Sequence, residues 1–134
     1  MKKLITIIVL LSTIVLTAKA QVRMWATADE IMTEFKDQNP SKGTEDDGTE
    51  YISINFPDYA MFYYYLNEDD VCYRCFVMPE DVGDLHAIVE RYDNRYVIVS
   101  DTQWKFYSGI NVSYIKLRET KTGVTYFEWY DPKD

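Results

Sequence analysis

The sequence is poor in the residues on which many enzyme and metal sites depend. Its 134 residues include one histidine, His86, and two cysteines, Cys72 and Cys75. A structural zinc site built from Cys and His needs four such ligands, and three are present. A nucleophilic triad needs a base positioned by an acid, and no G-x-S-x-G segment accompanies His86. We therefore expect His86 to lie on a helix at the surface or at the boundary of the core. The sequence gives no catalytic residue and no metal ligand to assign.

Basic residues are also scarce. The chain has 14 Lys and Arg against 22 Asp and Glu, a formal charge of −8 and a pI near 4.6. Nucleic-acid binding depends on clustered Lys and Arg that neutralise phosphates, so this balance argues against nucleic acid as a partner. Acidic residues cluster at 45–47, 68–70 and 80–81, where turns and the start of a helix are expected. We interpret them as surface residues.

Long hydrophobic runs are absent apart from Leu4–Leu16, which is short for a membrane span and is interrupted by Ser and Thr. Lys2 and Lys3 precede this run, and Ala18-Lys19-Ala20 follows it. This is the pattern of a secretory signal peptide over residues 1–20, cleaved after Ala20. We expect a periplasmic or secreted protein with no stable membrane insertion after cleavage.

The predicted mature chain, residues 21–134, is more acidic than the full sequence. It has 114 residues, keeps 11 Lys and Arg and all 22 Asp and Glu, and has a formal charge of −11. It also keeps all 12 Tyr, 6 Phe and 3 Trp. This length favours a single domain, and the aromatic residues suffice for a core.

Periodicity predicts two helices and seven strands. The first helix, Trp25–Gln38, has a T-x-x-E capping box at Thr27 and Glu30. The second opens at Pro79 and ends at 93–94. The strands are expected at Tyr51–Phe56, Ala60–Leu66, Val71–Val77, Arg95–Val99, Gln103–Tyr107, Ser113–Glu119 and Val124–Tyr130.

This order predicts an α+β fold, with two helices packed on one face of a twisted antiparallel sheet of about six or seven strands. Antiparallel sheets tolerate an open second face. A local likeness between Tyr51–Ile54 and Tyr96–Val99 hints at a duplicated α-β-β-β unit. Residues 39–50 are expected to form a mobile acidic loop, with weak calcium binding left open.

The last hairpin permits a prediction of register. If 121–123 is the loop and Gly123 is left-handed, Leu117 opposes Phe127 and Ile115 opposes Trp129. On the other face, three further pairs meet: Lys116 with Glu128, Tyr114 with Tyr130, and Arg118 with Tyr126. Apolar residues then face apolar residues, and opposite charges pair across the ladder.

Cys72-Tyr73-Arg74-Cys75 is a C-x-x-C segment within a predicted strand. Residues three apart on a regular strand point to opposite faces and lie beyond disulfide reach. We therefore predict two independent thiols, one in the core and one on the open face. Redox use is the less favoured alternative, because no helix N-terminus is present to lower a thiol pKa. An exposed thiol would also permit a disulfide-linked homodimer.

Aromatic residues are the most informative feature for function. Three consecutive tyrosines, 63–65, cannot all face one core, and the hairpin register adds more outward-facing rings. The candidate binding surface comprises Tyr63, Tyr65, Tyr114, Lys116, Arg118, Tyr126 and Tyr130. These rings could instead cover a thin core or be buried by a partner subunit.

From this surface we expect an exported, non-enzymatic domain that recognises a macromolecule through a Tyr-rich open sheet face. An acidic binder or inhibitor of a partner protein is the most concrete form of this expectation. The alternatives are a glycan-binding accessory protein and, less favoured, a small thiol-redox or hydrolytic enzyme. The sequence indicates no cofactor.

Overall fold

A computed structural model describes residues 21–133 of the chain. The predicted signal peptide therefore lies outside the described residues. Two α-helices occur in this range: α1 spans Ala28–Glu34, followed by a 3-10 turn at Lys36–Gln38, and α2 spans Val82–Arg95. No helix in the described range is both long and apolar enough to cross a membrane.

The described strands form one antiparallel sheet of eight. Their bounds are β1 Ser41–Thr44, β2 Glu50–Phe56, β3 Ala60–Leu66, β4 Cys72–Pro79, β5 Val97–Ser100, β6 Gln103–Ser108, β7 Asn111–Glu119 and β8 Thr125–Tyr130. Their order across the sheet is β1-β2-β3-β4-β8-β7-β6-β5. A helix followed by four strands thus occurs twice, and the two groups of strands meet where β4 pairs with β8.

The core lies between the helices and one face of the sheet. Alternate residues of β2, β3, β4, β7 and β8 are buried on this face, as the period of two requires. Ile31 and Phe35 near α1 and Ile88 and Tyr92 of α2 join them in a single cluster. Tyr92 lies at its aromatic centre, with its ring centroid 5.0 to 5.6 Å from those of four other rings. The other face of the sheet has no described helix upon it.

The predicted first helix was too long at its N-terminal end. The capping box forms as expected: Thr27 Oγ1 accepts from the Glu30 amide, and the Glu30 carboxylate accepts from the Thr27 amide. Because this box fixes Thr27 as the N-cap, the helix can begin only at Ala28. Trp25 instead has a φ of 65°, and its amide donates to the Cys72 carbonyl at 2.7 Å.

The expectation of a loop over residues 39–50 was wrong for residues 41–44, and with it the strand count, whereas residues 45–49 do form a turn. Residues 41–44 form β1, an edge strand that pairs with 50–53 of β2. Because this strand is exposed on both sides, its sequence, Ser-Lys-Gly-Thr, has no burial pattern to reveal it. The sheet therefore has eight strands rather than six or seven.

The second helix also starts later than predicted. Pro79 is the last residue of β4, where it pairs with Ala60, and a strand end tolerates its missing amide. Asp81 is the N-cap, and its carboxylate accepts from the Asp84 amide at 2.9 Å. The helix continues to Arg95, the residue at which the sequence predicted the start of a strand.

The register of the β7–β8 hairpin is confirmed at all five predicted pairs. Gly123 has a φ of 88°, as the turn requires. The confirmed pairs place Ile115, Trp129 and Phe127 in the core. The polar and tyrosine pairs consequently lie on the opposite face.

Candidate functional site: the open face of the sheet

The open face is the side of the sheet turned away from α1 and α2. The sheet register brings all seven predicted surface residues onto it, since paired residues share a face. The same register adds residues that complete the face. These are Tyr51, Met61, Arg74, Phe76, Met78, Gln103, Lys105, Tyr107 and Glu128.

An aromatic row crosses four strands of the open face. It consists of Tyr51, Tyr63, Tyr65, Phe76 and Tyr126. Ring centroids along it lie 5.4 Å apart for Tyr51 and Tyr65, 5.3 Å for Tyr65 and Phe76, and 5.7 Å for Phe76 and Tyr126. All five side chains are partly exposed. The contacts of Phe76 with Tyr65 and Tyr126 are edge to face, and Tyr51 meets its neighbours at a tilt. Each ring keeps an accessible part, so the row is held in place before any partner arrives.

A second aromatic group lies on β7 and β8. Tyr114 and Tyr130 meet edge to face with centroids 5.8 Å apart. Lys105 Nζ lies 5.4 Å from the Tyr114 ring centroid, and Lys116 Nζ lies 5.7 Å from that of Tyr130. Both ammonium groups are within cation–π range, which orients the lysines along the surface.

An ion triad lies between the two aromatic groups. Glu128 of β8 is 9% exposed, and it is held by an arginine on each neighbouring strand. Arg118 of β7 donates from Nε to Glu128 Oε1. Arg74 Nε of β4 lies 3.4 Å from Glu128 Oε2. A nearly buried carboxylate is tolerated here because two cations compensate for its lost hydration.

The charge of the open face is opposite to that of the chain. Its strand residues in the described range include four bases, Arg74, Lys105, Lys116 and Arg118, and one acid, Glu128. Residues 21–134 together carry twice as many acids as bases. The open face is therefore a locally positive patch on an acidic protein.

One margin of the face is fixed by the β1–β2 hairpin. The Tyr65 hydroxyl donates to Glu45 Oε1 at 2.7 Å. Partial burial and this carboxylate together raise the pKa of Tyr65, so the phenol stays protonated as a donor. Gly43 pairs with Tyr51 across the ladder, and a Cβ at residue 43 would overlap the Tyr51 ring.

Several residues of the site were not predicted from the sequence. Tyr51 alternates with the buried Ile52 on β2 and so lies on the open face, but β1 and Gly43 beside it were not foreseen. The C-x-x-C segment obscured Arg74 and Phe76, because its alternation is irregular. Lys105 carried a usable signal, since it alternates with Trp104 and lies two residues from Tyr107. Trp104 is fully buried and Tyr107 is 58% exposed.

The prediction that Cys72 and Cys75 face opposite ways was wrong. The ladder shifts between β3 and β4, where Tyr65 pairs with Arg74 but Leu66 pairs with Cys72. Tyr73 is the additional residue of this β-bulge, which returns Cys72 to the core side. Both thiols are free and have no exposed surface. Burial raises the pKa of Cys72 to about 12 and that of Cys75 well above its ordinary value.

His86 is exposed on α2, as expected. It lines a shallow groove of about 470 Å³ with Leu85, Val89 and Leu117. A larger cleft of about 650 Å³ lies between the β1–β2 and β3–β4 turns, where Asp47, Glu50, Glu68 and Asp70 contribute acidic side chains. No group of three or more His, Cys, Asp or Glu side chains in the described part of the chain has a metal-binding arrangement.

Comparison with known proteins gives no match to a family model, to a curated protein or to a solved structure.

Proposed function

We propose that this protein is an exported, non-enzymatic recognition domain that binds a partner protein through its open face. The observation that carries the proposal is the aromatic row beside the two arginines of the ion triad. Both are partly exposed, on a sheet face that no described element covers. Tyr and Arg are the residue types most enriched where proteins bind one another.

Preorganisation supports this proposal. A tyrosine has two side-chain torsions, so ordering it at an interface costs less entropy than ordering a lysine or glutamate. Here the rings already contact one another, Arg118 already donates a hydrogen bond to Glu128, and Arg74 lies within ion-pair distance of the same carboxylate. A surface held in this way loses little further freedom when it binds.

Export is part of the proposal and rests on the leader pattern of the sequence. The chain after the expected cleavage point is integrated into the fold. The Tyr64 hydroxyl donates to the Gln21 carbonyl at 2.7 Å, and Trp25 Nε1 donates to Asp131 at 3.3 Å. Mass spectrometry of the N-terminal peptide of the protein recovered from the periplasm or medium is expected to show Gln21 as its first residue, as glutamine or as the pyroglutamate it forms. A cytoplasmic product that begins at Met1 would contradict export.

Site-specific photo-crosslinking tests the binding role. Benzoylphenylalanine placed at Tyr63 or Tyr126 in the source cells should give adducts of one defined mass. The same probe at His86, which is exposed on the helix side, serves as the matched control. Adducts that form equally from all three positions, or only from His86, would contradict the proposal. If a glycosidase removed the added mass of the adducts, the face would be assigned to a glycan instead.

A further inference from the structure

The ion triad at the centre of the open face leaves hydrogen-bonding capacity directed outward. Arg118 and Arg74 both turn Nε toward Glu128. Within the described residues, the terminal Nη atoms of these two arginines make no hydrogen bond. The side chains of Arg74 and Arg118 remain 36% and 43% exposed, whereas that of Glu128 is 12% exposed. The acid is thus covered and the two guanidinium groups are accessible.

The aromatic groups surround this centre. Phe76 and Tyr126 of the aromatic row lie on one side, and Tyr130 lies on the other. A guanidinium between partly buried rings is less hydrated than one on an open surface, which strengthens its pairing with an incoming anion. Glu128 can compensate only one of the two arginines. Lys116, which pairs with Glu128 across the ladder, adds a further positive charge.

We propose that the open face receives a carboxylate from an acidic loop of its protein partner, held between Arg74 and Arg118. This inference rests on the proposed function and specifies its partner chemistry. A carboxylate accepts two parallel N–H bonds from one guanidinium, which gives such a contact both direction and strength. The aromatic rings around it exclude water from the contact, as rings at the centre of an interface do.

Charge complementarity favours an acidic protein loop over a basic one. A basic loop would have to approach four cations with one covered acid between them, which is unfavourable at short range. The acidic residues elsewhere in the chain are screened beyond a Debye length of about 8 Å at physiological salt. The local positive patch therefore decides what can approach the centre of the face.

An NMR titration tests the inference with a defined probe. The ¹⁵N-labelled protein is titrated with acetylated and amidated tetraglutamate, and with the matched tetraglutamine peptide. We expect tetraglutamate alone to shift the amides of β4, β7 and β8. We also expect raising NaCl to about 300 mM to weaken its apparent affinity several-fold, since the contact is a partly exposed ion pair. Equal shifts with tetraglutamine, or shifts confined to α2 and the hairpin turns, would overturn the inference.

Variants separate recognition from folding. Arg118→Gln removes one arm of the triad and should reduce the tetraglutamate affinity several-fold. Because that change leaves Glu128 with one partner, Lys116→Gln and Lys105→Gln provide a second test that leaves the triad intact. Lys36→Gln, on the 3-10 turn after α1, is the matched control and should bind as the wild type does. If Lys116→Gln, Lys105→Gln and Arg118→Gln each bound tetraglutamate with wild-type affinity, the inference would be overturned.

The two proposals can fail separately. If crosslinks form from Tyr63 and Tyr126 while tetraglutamate shifts no amide of β4, β7 or β8, the face binds a partner but not through a carboxylate. If tetraglutamate binds at the triad while crosslinks form only from His86, the carboxylate site stands and the proposed binding role of the face fails. Concentration-dependent broadening of the same amides without peptide would assign the face to a second copy of the chain and overturn the inference.

Discussion

Individual residues of this protein owe their chemistry to burial. The thiols of Cys72 and Cys75 have no exposed surface, and burial raises the pKa of each. The thiolate is the reactive form of cysteine, so both access and ionisation oppose reaction. These thiols are also poorly placed to link two copies of the chain. The C-x-x-C spacing is, in this setting, a core feature of β4.

We predict that neither thiol reacts in the folded protein near pH 8. Titration with Ellman's reagent should release almost no chromophore from the native protein and two equivalents after unfolding in denaturant, one for each cysteine. A rapid equivalent from the native protein would show that at least one thiol is accessible. That result would revive the redox alternative.

Buried acids of high pKa also link stability to alkaline pH. The ordinary pKa of a thiol is 9.0, whereas that of Cys72 in the fold is about 12. Burial raises the pKa of the Tyr64 and Tyr92 phenols in the same way. Above about pH 9 the unfolded chain loses protons that the folded chain retains, so rising pH favours unfolding. This stabilising contribution is fully present below pH 9 and is lost as pH rises toward 12.

We predict that the free energy of unfolding falls steeply with pH above about 9. Each titrating group contributes up to about 1.4 kcal/mol per pH unit. Urea unfolding at several pH values should show that the free energy of unfolding of Cys72→Ala falls less steeply with pH than that of the wild type. The difference should be up to about 1.4 kcal/mol per pH unit, because one titrating group has been removed. Below pH 8 the two proteins should differ by a constant cavity cost. Identical slopes above pH 9 would contradict the burial of an ionisable thiol.

At the level of elements, β1 pairs with β2 through four residue pairs, one of which brings Gly43 under the Tyr51 ring. The Tyr51 ring lies over Gly43, and the same ring begins the aromatic row through Tyr63 and Tyr65. An aromatic side chain that covers an edge glycine restores packing that the glycine itself cannot provide. The edge strand and the candidate surface are therefore coupled.

A double-mutant cycle measures this coupling. Gly43→Ala should destabilise the protein by about 1 kcal/mol, because the new Cβ displaces the Tyr51 ring. In a Tyr51→Ala background the same change should be neutral or slightly stabilising, since alanine fits an extended strand better than glycine. Chemical denaturation of the four proteins gives the coupling energy. Equal costs in the two backgrounds would show that ring and glycine do not interact.

Elements with regular patterns were predictable from the sequence, and elements that break a pattern were not. The β7–β8 register followed from matched apolar and charged pairs, and the capping box of Thr27 and Glu30 was predicted even though the start of α1 was placed too early. β1 has no buried side and therefore no periodic signal. The bulge at Tyr73 reverses the facing of Cys72, and one sequence does not show where a strand gains a residue.

For the whole molecule, the main result is a separation of charge. Most acids of the described residues lie in the turns and helices, while four bases, one acid and the aromatic groups share the open face. The sequence alone placed seven residues of this face correctly on outward strand positions. Its positive character was hidden, because it depends on Arg74 and Lys105 from strands that are distant in sequence. The sheet order brings them together.

The open face is proposed to bind a partner rather than to serve as a second layer of core. Partner capture and urea denaturation of Tyr126→Ala and His86→Ala distinguish these two roles. We predict that both variants fold cooperatively and that only Tyr126→Ala loses the partner crosslinked through Tyr63, by at least about tenfold in affinity, which is typical of a central interface aromatic. If Tyr126→Ala captured that partner as well as His86→Ala does, the open face would not be the binding surface.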